Sequence, residues 1–106
     1  MNRAVISYKG GMMVLLNPKE QLMYLLEHYY IGNYDTETFA DEFHRIYHFE
    51  VDDKDLSAKE KNALSELSTI VARFSPFEED LKIPNMYFSE KDVKEKATEV
   101  YLKLVR

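Results

Sequence analysis

Residues 57–76 read SAKEKNALSELSTIVARFSP, and this stretch decides the fold class. Ser57 followed three residues later by Glu60 is a capping box, in which a hydroxyl and a carboxylate each take up a backbone N–H that a helix start leaves without a partner. Behind it, Ala63, Leu64, Leu67, Ile70, Val71 and Phe74 recur at the helical period. Pro76 has no N–H to donate and ends the run, so a helix is predicted over 58–74.

The same grammar repeats on both sides. Upstream, Asn17-Pro18-Lys19-Glu20 combines a cap, a proline suited to the first helical position and an acid at the third. Leu22, Leu25, Leu26 and Tyr29 then keep the period, and Gly32 supplies the stop, giving a helix over 18–31. Asp35 or Thr36 caps the next one, whose face is Phe39, Ala40, Phe43, Ile46 and Tyr47 and whose end falls near Phe49. Downstream, Ser89 with Asp92 caps a last helix over 90–105, with Phe88 and Val93 at the staple positions and Ala97, Val100, Tyr101 and Leu104 on its face. Between these, residues 75–88 contain Pro76 and Pro84 and have no period, which predicts a long ordered loop with room for one short helical turn. The first sixteen residues, apolar around Lys9-Gly10-Gly11, fit either two short strands or a coil leading into the first helix.

Composition agrees. Glycine and proline number three each in 106 residues, too few for a many-stranded architecture. The expected fold is all-α, a single domain over 1–106 arranged as an antiparallel four-helix bundle with a short N-terminal extension. The absence of cysteine excludes disulfides and thiolate metal sites. A net charge of -5 argues against nucleic acid as a partner, and no run is long and apolar enough to span a membrane. The N-terminus does not follow the order of a secretory signal, so a soluble cytoplasmic protein is expected.

Chemistry-bearing groups are sparse. Asp41, His44 and His48 fall one helical turn apart, which permits a metal or acid-base group, but no second ligand cluster accompanies them. Neither a metal nor a cofactor nor a small-molecule substrate is expected, and a hydrolase built on these three residues ranks last among the functional readings. His28 reads as a helix-surface or packed residue. Tyrosine is favoured at protein interfaces, and Tyr30, Tyr34 and Tyr87, near element ends, are the ones expected there.

Charge is regional. Residues 21–80 carry fourteen acids against five bases, whereas the flanks are net positive. The acids concentrate at Asp35, Glu37, Asp41 and Glu42, at Asp52, Asp53 and Asp55, and at Glu78, Glu79 and Asp80. Carboxylates near helix starts suit the helix dipole, and they also form a face for a basic partner.

The stretch Leu67 to Pro76, the acids Glu78-Glu79-Asp80, then Asn85-Met86-Tyr87-Phe88 and a final amphipathic helix resemble the colicin D-type immunity proteins. So does Thr38-Phe39-Ala40-Asp41-Glu42-Phe43. The resemblance spans roughly residues 20–106. It implies a four-helix antiparallel bundle with no catalytic activity, which blocks the cationic active site of a toxin nuclease domain, an RNase or tRNase, in a one-to-one complex. Related immunity proteins act against toxins of contact-dependent inhibition. The family's inhibitory acids lie around the end of the third helix and the loop after it, which maps to Glu78, Glu79 and Asp80. The chain departs from the pattern at Ala72 and Phe77, where the family carries acids. The interface expected on this basis comprises Asp41, Glu42, Glu78, Glu79 and Asp80 with Phe77 or Tyr87 as aromatic anchor. The second reading is a helical adaptor or regulator that binds another protein without neutralising a toxin.

Overall fold

The computed structural model describes residues 6–9 and 12–105, with side chains from Leu16 to Val105. Its elements are strands β1 (Ile6–Lys9) and β2 (Met12–Leu15), helices α1 (Pro18–Tyr30), α2 (Thr36–Phe49), α3 (Ala58–Val71), the single-turn α4 (Glu78–Leu81) and α5 (Glu90–Leu104), and a 3-10 turn at Asp53–Asp55. The chain is mostly helical.

Each of the four long helices starts where its cap residues stand. Asn17 with Glu20, Ser57 with Glu60 and Ser89 with Asp92 all form reciprocal capping boxes. For α2 the cap is Asp35, whose carboxylate accepts from the Thr38 N–H at 2.7 Å; Thr36 is the first helical residue. The end of α1 is a Schellman closure. Gly32 takes φ +92, its N–H reaches the Tyr29 carbonyl, and the Asn33 N–H reaches that of His28.

The periodic residues form one core. Leu22, Leu25, Leu26 and Tyr29 of α1 meet Phe39, Ala40, Phe43 and Ile46 of α2, Ala63, Leu64, Leu67 and Val71 of α3, and Val93, Ala97 and Val100 of α5. Contacts run from α1 to α2, α2 to α3, α3 to α5 and α5 back to α1, so the four long helices form a closed ring of neighbours. A column of rings, Tyr29 on Phe39 at 4.1 Å, Phe39 to Phe43 at 5.8 Å and Phe43 to Tyr47 at 5.4 Å, runs from α1 along the inner side of α2. Such pairs each add about 0.5–1.5 kcal/mol beyond burial.

The structure corrects three boundaries and resolves one alternative. Helix α1 ends at Tyr30, not at 31, because Ile31 already belongs to the closing turn at Gly32. Helix α3 ends at Val71, not at 74, because the backbone turns there to pair with Phe88, the residue before the α5 cap. Phe74 and Phe88 form a parallel bridge, in which the Phe88 N–H donates to the Arg73 carbonyl at 2.7 Å and the Ser75 N–H to the Phe88 carbonyl at 3.0 Å. The last helix stops at Leu104, one residue short of the expected end. At the N-terminus the two-strand alternative holds, antiparallel with Ile6 opposite Leu15 and Lys9 opposite Met12. Gly10 and Gly11, the glycines of the expected turn, lie outside the described residues.

Candidate functional surface

The pairing of Phe74 with Phe88 pins the two ends of the segment 75–87 together, so a stretch without periodicity becomes a closed surface loop. Its inner tie is Ser75, which is buried. The Ser75 hydroxyl donates to Asp80 Oδ2 at 2.7 Å and accepts from the Phe77 N–H at 3.1 Å, which fixes the first turn of α4. Asn85, at φ +59, provides the left-handed turn before the chain returns to Phe88.

The loop displays apolar side chains to solvent. Phe77 is 63% exposed and Met86 50%, and Leu81, Ile83 and Tyr87 are exposed as well. Five large apolar residues are thus exposed within one short pinned loop, a denser grouping than the single surface hydrophobes that folded proteins ordinarily show. Glu78 and Glu79 stand exposed among them.

Not all of the expected interface residues share this position. Phe77, Glu78, Glu79 and Tyr87 lie together on the loop. Asp80 is half-buried and engaged with Ser75. Asp41 is exposed on α2, while Glu42 is half-buried and paired with Arg45 at 2.7 Å. Arg45 also pairs with Glu50, and the hydrogen bond it donates to Glu42 is the largest of the effects that raise the Arg45 pKa. Of the three tyrosines expected at the surface, Tyr30 and Tyr87 are exposed. Tyr34 is instead half-buried against the core, because the turn after α1 folds it inward, and burial raises its pKa.

Beside the loop lies a cleft of about 390 Å³ that the sequence did not single out. The start of α2 contributes Asp35, Thr36 and Glu37, the start of α5 contributes Ser89, Glu90 and Lys91, and Phe74, Pro76 and Leu81 supply apolar walls. A polar chain that begins in the core and ends at the surface holds these elements together. The Thr36 hydroxyl donates to Glu90 Oε2 at 3.0 Å, so the Tyr29 hydroxyl, 2.7 Å away, must be the donor to Thr36. Burial raises the Tyr29 pKa, the Thr36 hydrogen bond opposes that, and the Glu90 charge adds to it, so the phenol keeps its proton. Asp35 is held below the usual carboxylate range by the Thr38 backbone N–H and is charged at neutral pH.

The histidines belong to other settings. The His44 and His48 rings lie 4.6 Å apart, tilted by 51°, and His48 Nε2 lies 3.1 Å from the Ser68 hydroxyl. Among the described residues no group of three or more His, Cys, Asp or Glu converges as metal ligands. His28 stacks on Tyr24 at 4.0 Å, with its Nδ1 2.8 Å from the Asn33 amide. Among the described residues no helix is long and apolar enough to cross a membrane.

The signals for the loop and the cleft were partly available. Leu81, Ile83 and Met86 are apolar residues in a segment with no period, and hence no helical face to bury them on. The gathering of Asp35, Glu37 and Glu90 had no local signal, since Glu90 is 53 residues beyond Glu37. No family model, curated protein or solved structure matches the chain.

Proposed function

We propose that this chain is a protein-binding inhibitor of the colicin D-type immunity kind, which covers the cationic active site of a toxin nuclease domain with the acidic and aromatic surface around 75–87. The observation that carries the reading is the pinned loop, where exposed Phe77, Leu81, Ile83, Met86 and Tyr87 are interspersed with Glu78 and Glu79. Protein interfaces concentrate their binding energy in a few rigidly held aromatic and aliphatic anchors, and a ring of acids speeds encounter with a basic partner. The closed ring α1–α2–α3–α5 supports the antiparallel four-helix bundle that the resemblance implies, with the loop carried at one end. Asp41 extends the negative field along α2. Glu42 and Asp80, each engaged internally, hold Arg45 and Ser75 and contribute field rather than contact.

A helical adaptor would use the same surface, and the distinction lies in what the partner does. The deciding experiment is co-expression with the C-terminal domain encoded immediately upstream, scoring growth and then one-to-one co-purification at low and high salt. Rescue of growth with a tight, salt-sensitive complex supports immunity. Absence of both rescue and complex would refute it and leave the adaptor reading.

A further inference from the structure

The cleft beside the loop combines two chemistries that few ligands satisfy at once. Its walls at Phe74, Pro76 and Leu81 are apolar, and Leu81 continues outward onto the exposed apolar loop. Around them stand the carboxylates of Asp35, Glu37 and Glu90. Each carboxylate has acceptor capacity left. Asp35 uses Oδ1 on the Thr38 N–H and Glu90 uses Oε2 on Thr36, which leaves Asp35 Oδ2 and Glu90 Oε1. Among the described residues Glu37 makes no ion pair. Lys91 is the one cation among the residues lining the cleft; its side chain is 82% exposed, and its ammonium lies 4.0 Å from Glu95, one turn along α5.

We propose that this cleft seats one lysine or arginine side chain of the partner protein, its aliphatic stem lying on Phe74, Pro76 and Leu81 and its cationic head among Asp35, Glu37 and Glu90. The inference deepens the reading of the chain as a protein-binding inhibitor and rests on it. A long basic side chain is the group whose two halves match an apolar wall and an anionic rim. An anion is disfavoured although two helix starts border the cleft, because Asp35 and Ser89 already cap those N–H groups and the carboxylates repel negative charge. The walls are fixed in advance by the Tyr29–Thr36–Glu90 chain and by buried Ser75, so seating the side chain requires little reordering of the protein. A protein partner fits better than a free amine because the apolar loop adjoining the cleft needs a surface to cover it.

The test is a titration of the labelled protein with the blocked tripeptides Gly-Arg-Gly and Gly-Lys-Gly, with Gly-Gln-Gly as neutral control and spermidine as a free amine, followed by amide NMR shifts. The expected result is saturable shifts confined to residues 35–37, 75, 81 and 89–91 with the two basic peptides, and none with the control. The triple variant D35N/E37Q/E90Q keeps the cap and the acceptor for Thr36 while removing the charge, and should weaken peptide binding about tenfold. Should that variant fail to fold, Glu37→Gln alone, which touches no internal hydrogen bond, should weaken it about two- to threefold. Shifts spread evenly over all acidic residues, an unaltered affinity in these variants, or spermidine binding as tightly as the peptides would each overturn the proposal. The same titration separates this inference from the immunity reading. Peptide binding in the cleft, with no neutralisation of the upstream domain, removes immunity alone, whereas a neutralising complex indifferent to D35N/E37Q/E90Q removes the cleft assignment alone.

Discussion

Replacing Thr36 by valine tests whether the polar chain between α1, α2 and α5 holds the cleft together. Threonine and valine have nearly the same shape, so the change removes the hydroxyl and little else. Two hydrogen bonds disappear, from Tyr29 at 2.7 Å and to Glu90 at 3.0 Å. Tyr29 is 1% exposed, so its hydroxyl is left without a partner and without ready access to water, at a cost of about 1–3 kcal/mol. Glu90 is exposed and regains water, so its lost bond adds only about 0.5–1 kcal/mol. The extra methyl of valine returns less than about 1 kcal/mol through burial. The net expectation is about 2 kcal/mol of destabilisation, or roughly 8–10 °C in Tm for a chain of this size. Urea denaturation of the protein, Thr36→Val, Tyr29→Phe and the double variant forms a complete cycle. With both hydroxyls gone no orphan donor remains, so the double variant should be no less stable than Thr36→Val alone, a coupling of about 1–2 kcal/mol. A loss under about 0.5 kcal/mol for Thr36→Val, or costs that simply add, would refute the argument.

Other consequences are as direct. Phe77→Ala should leave the denaturation midpoint within about 0.5 kcal/mol, since the ring is 63% exposed, yet weaken a toxin complex by about 2 kcal/mol or more, measured by calorimetry. Glu78→Lys with Glu79→Lys should slow association and make it less salt-dependent without altering the helical circular dichroism, and unchanged association kinetics would remove these acids from the interface. Ser57→Ala should cost about 1 kcal/mol by opening the capping box of α3, read from thermal melts. Acid should destabilise the fold. Asp35 is held low by the Thr38 backbone N–H, Glu60 by the Ser57 backbone N–H and Glu66 by the Lys96 ammonium. A lowered folded-state pKa means the stabilisation is complete above the ordinary values of 3.8 and 4.5 and is lost as pH falls through the lower folded-state values. Denaturation midpoints should therefore be flat between about pH 7 and 6 as far as these three carboxylates are concerned, and decline below roughly pH 4.

Helix starts, the stop at Gly32 and the inward faces were legible in the sequence because each depends on residues within about one or two helical turns of one another. Asn17 with Glu20 and Ser57 with Glu60 sit three apart and need nothing from the rest of the chain. The end of α3 was misjudged because its apolar period continues to Phe74, and only the distant Phe88 backbone draws residues 73–75 out of the helix. Tyr34 looks like a surface turn residue, and only its packing against the assembled core turns it inward.

The sequence by itself determined the helical elements, their caps, most of the core and the regional acidity, since periodicity and charge are properties of neighbours along the chain. Only the tertiary structure decided which acids are free to act. It tied Asp80 to Ser75, and it brought Glu37 beside Glu90 across 53 residues. It also turned an aperiodic loop into a pinned apolar surface, because a bridge between Phe74 and Phe88 is a long-range hydrogen-bonding event that no local pattern encodes.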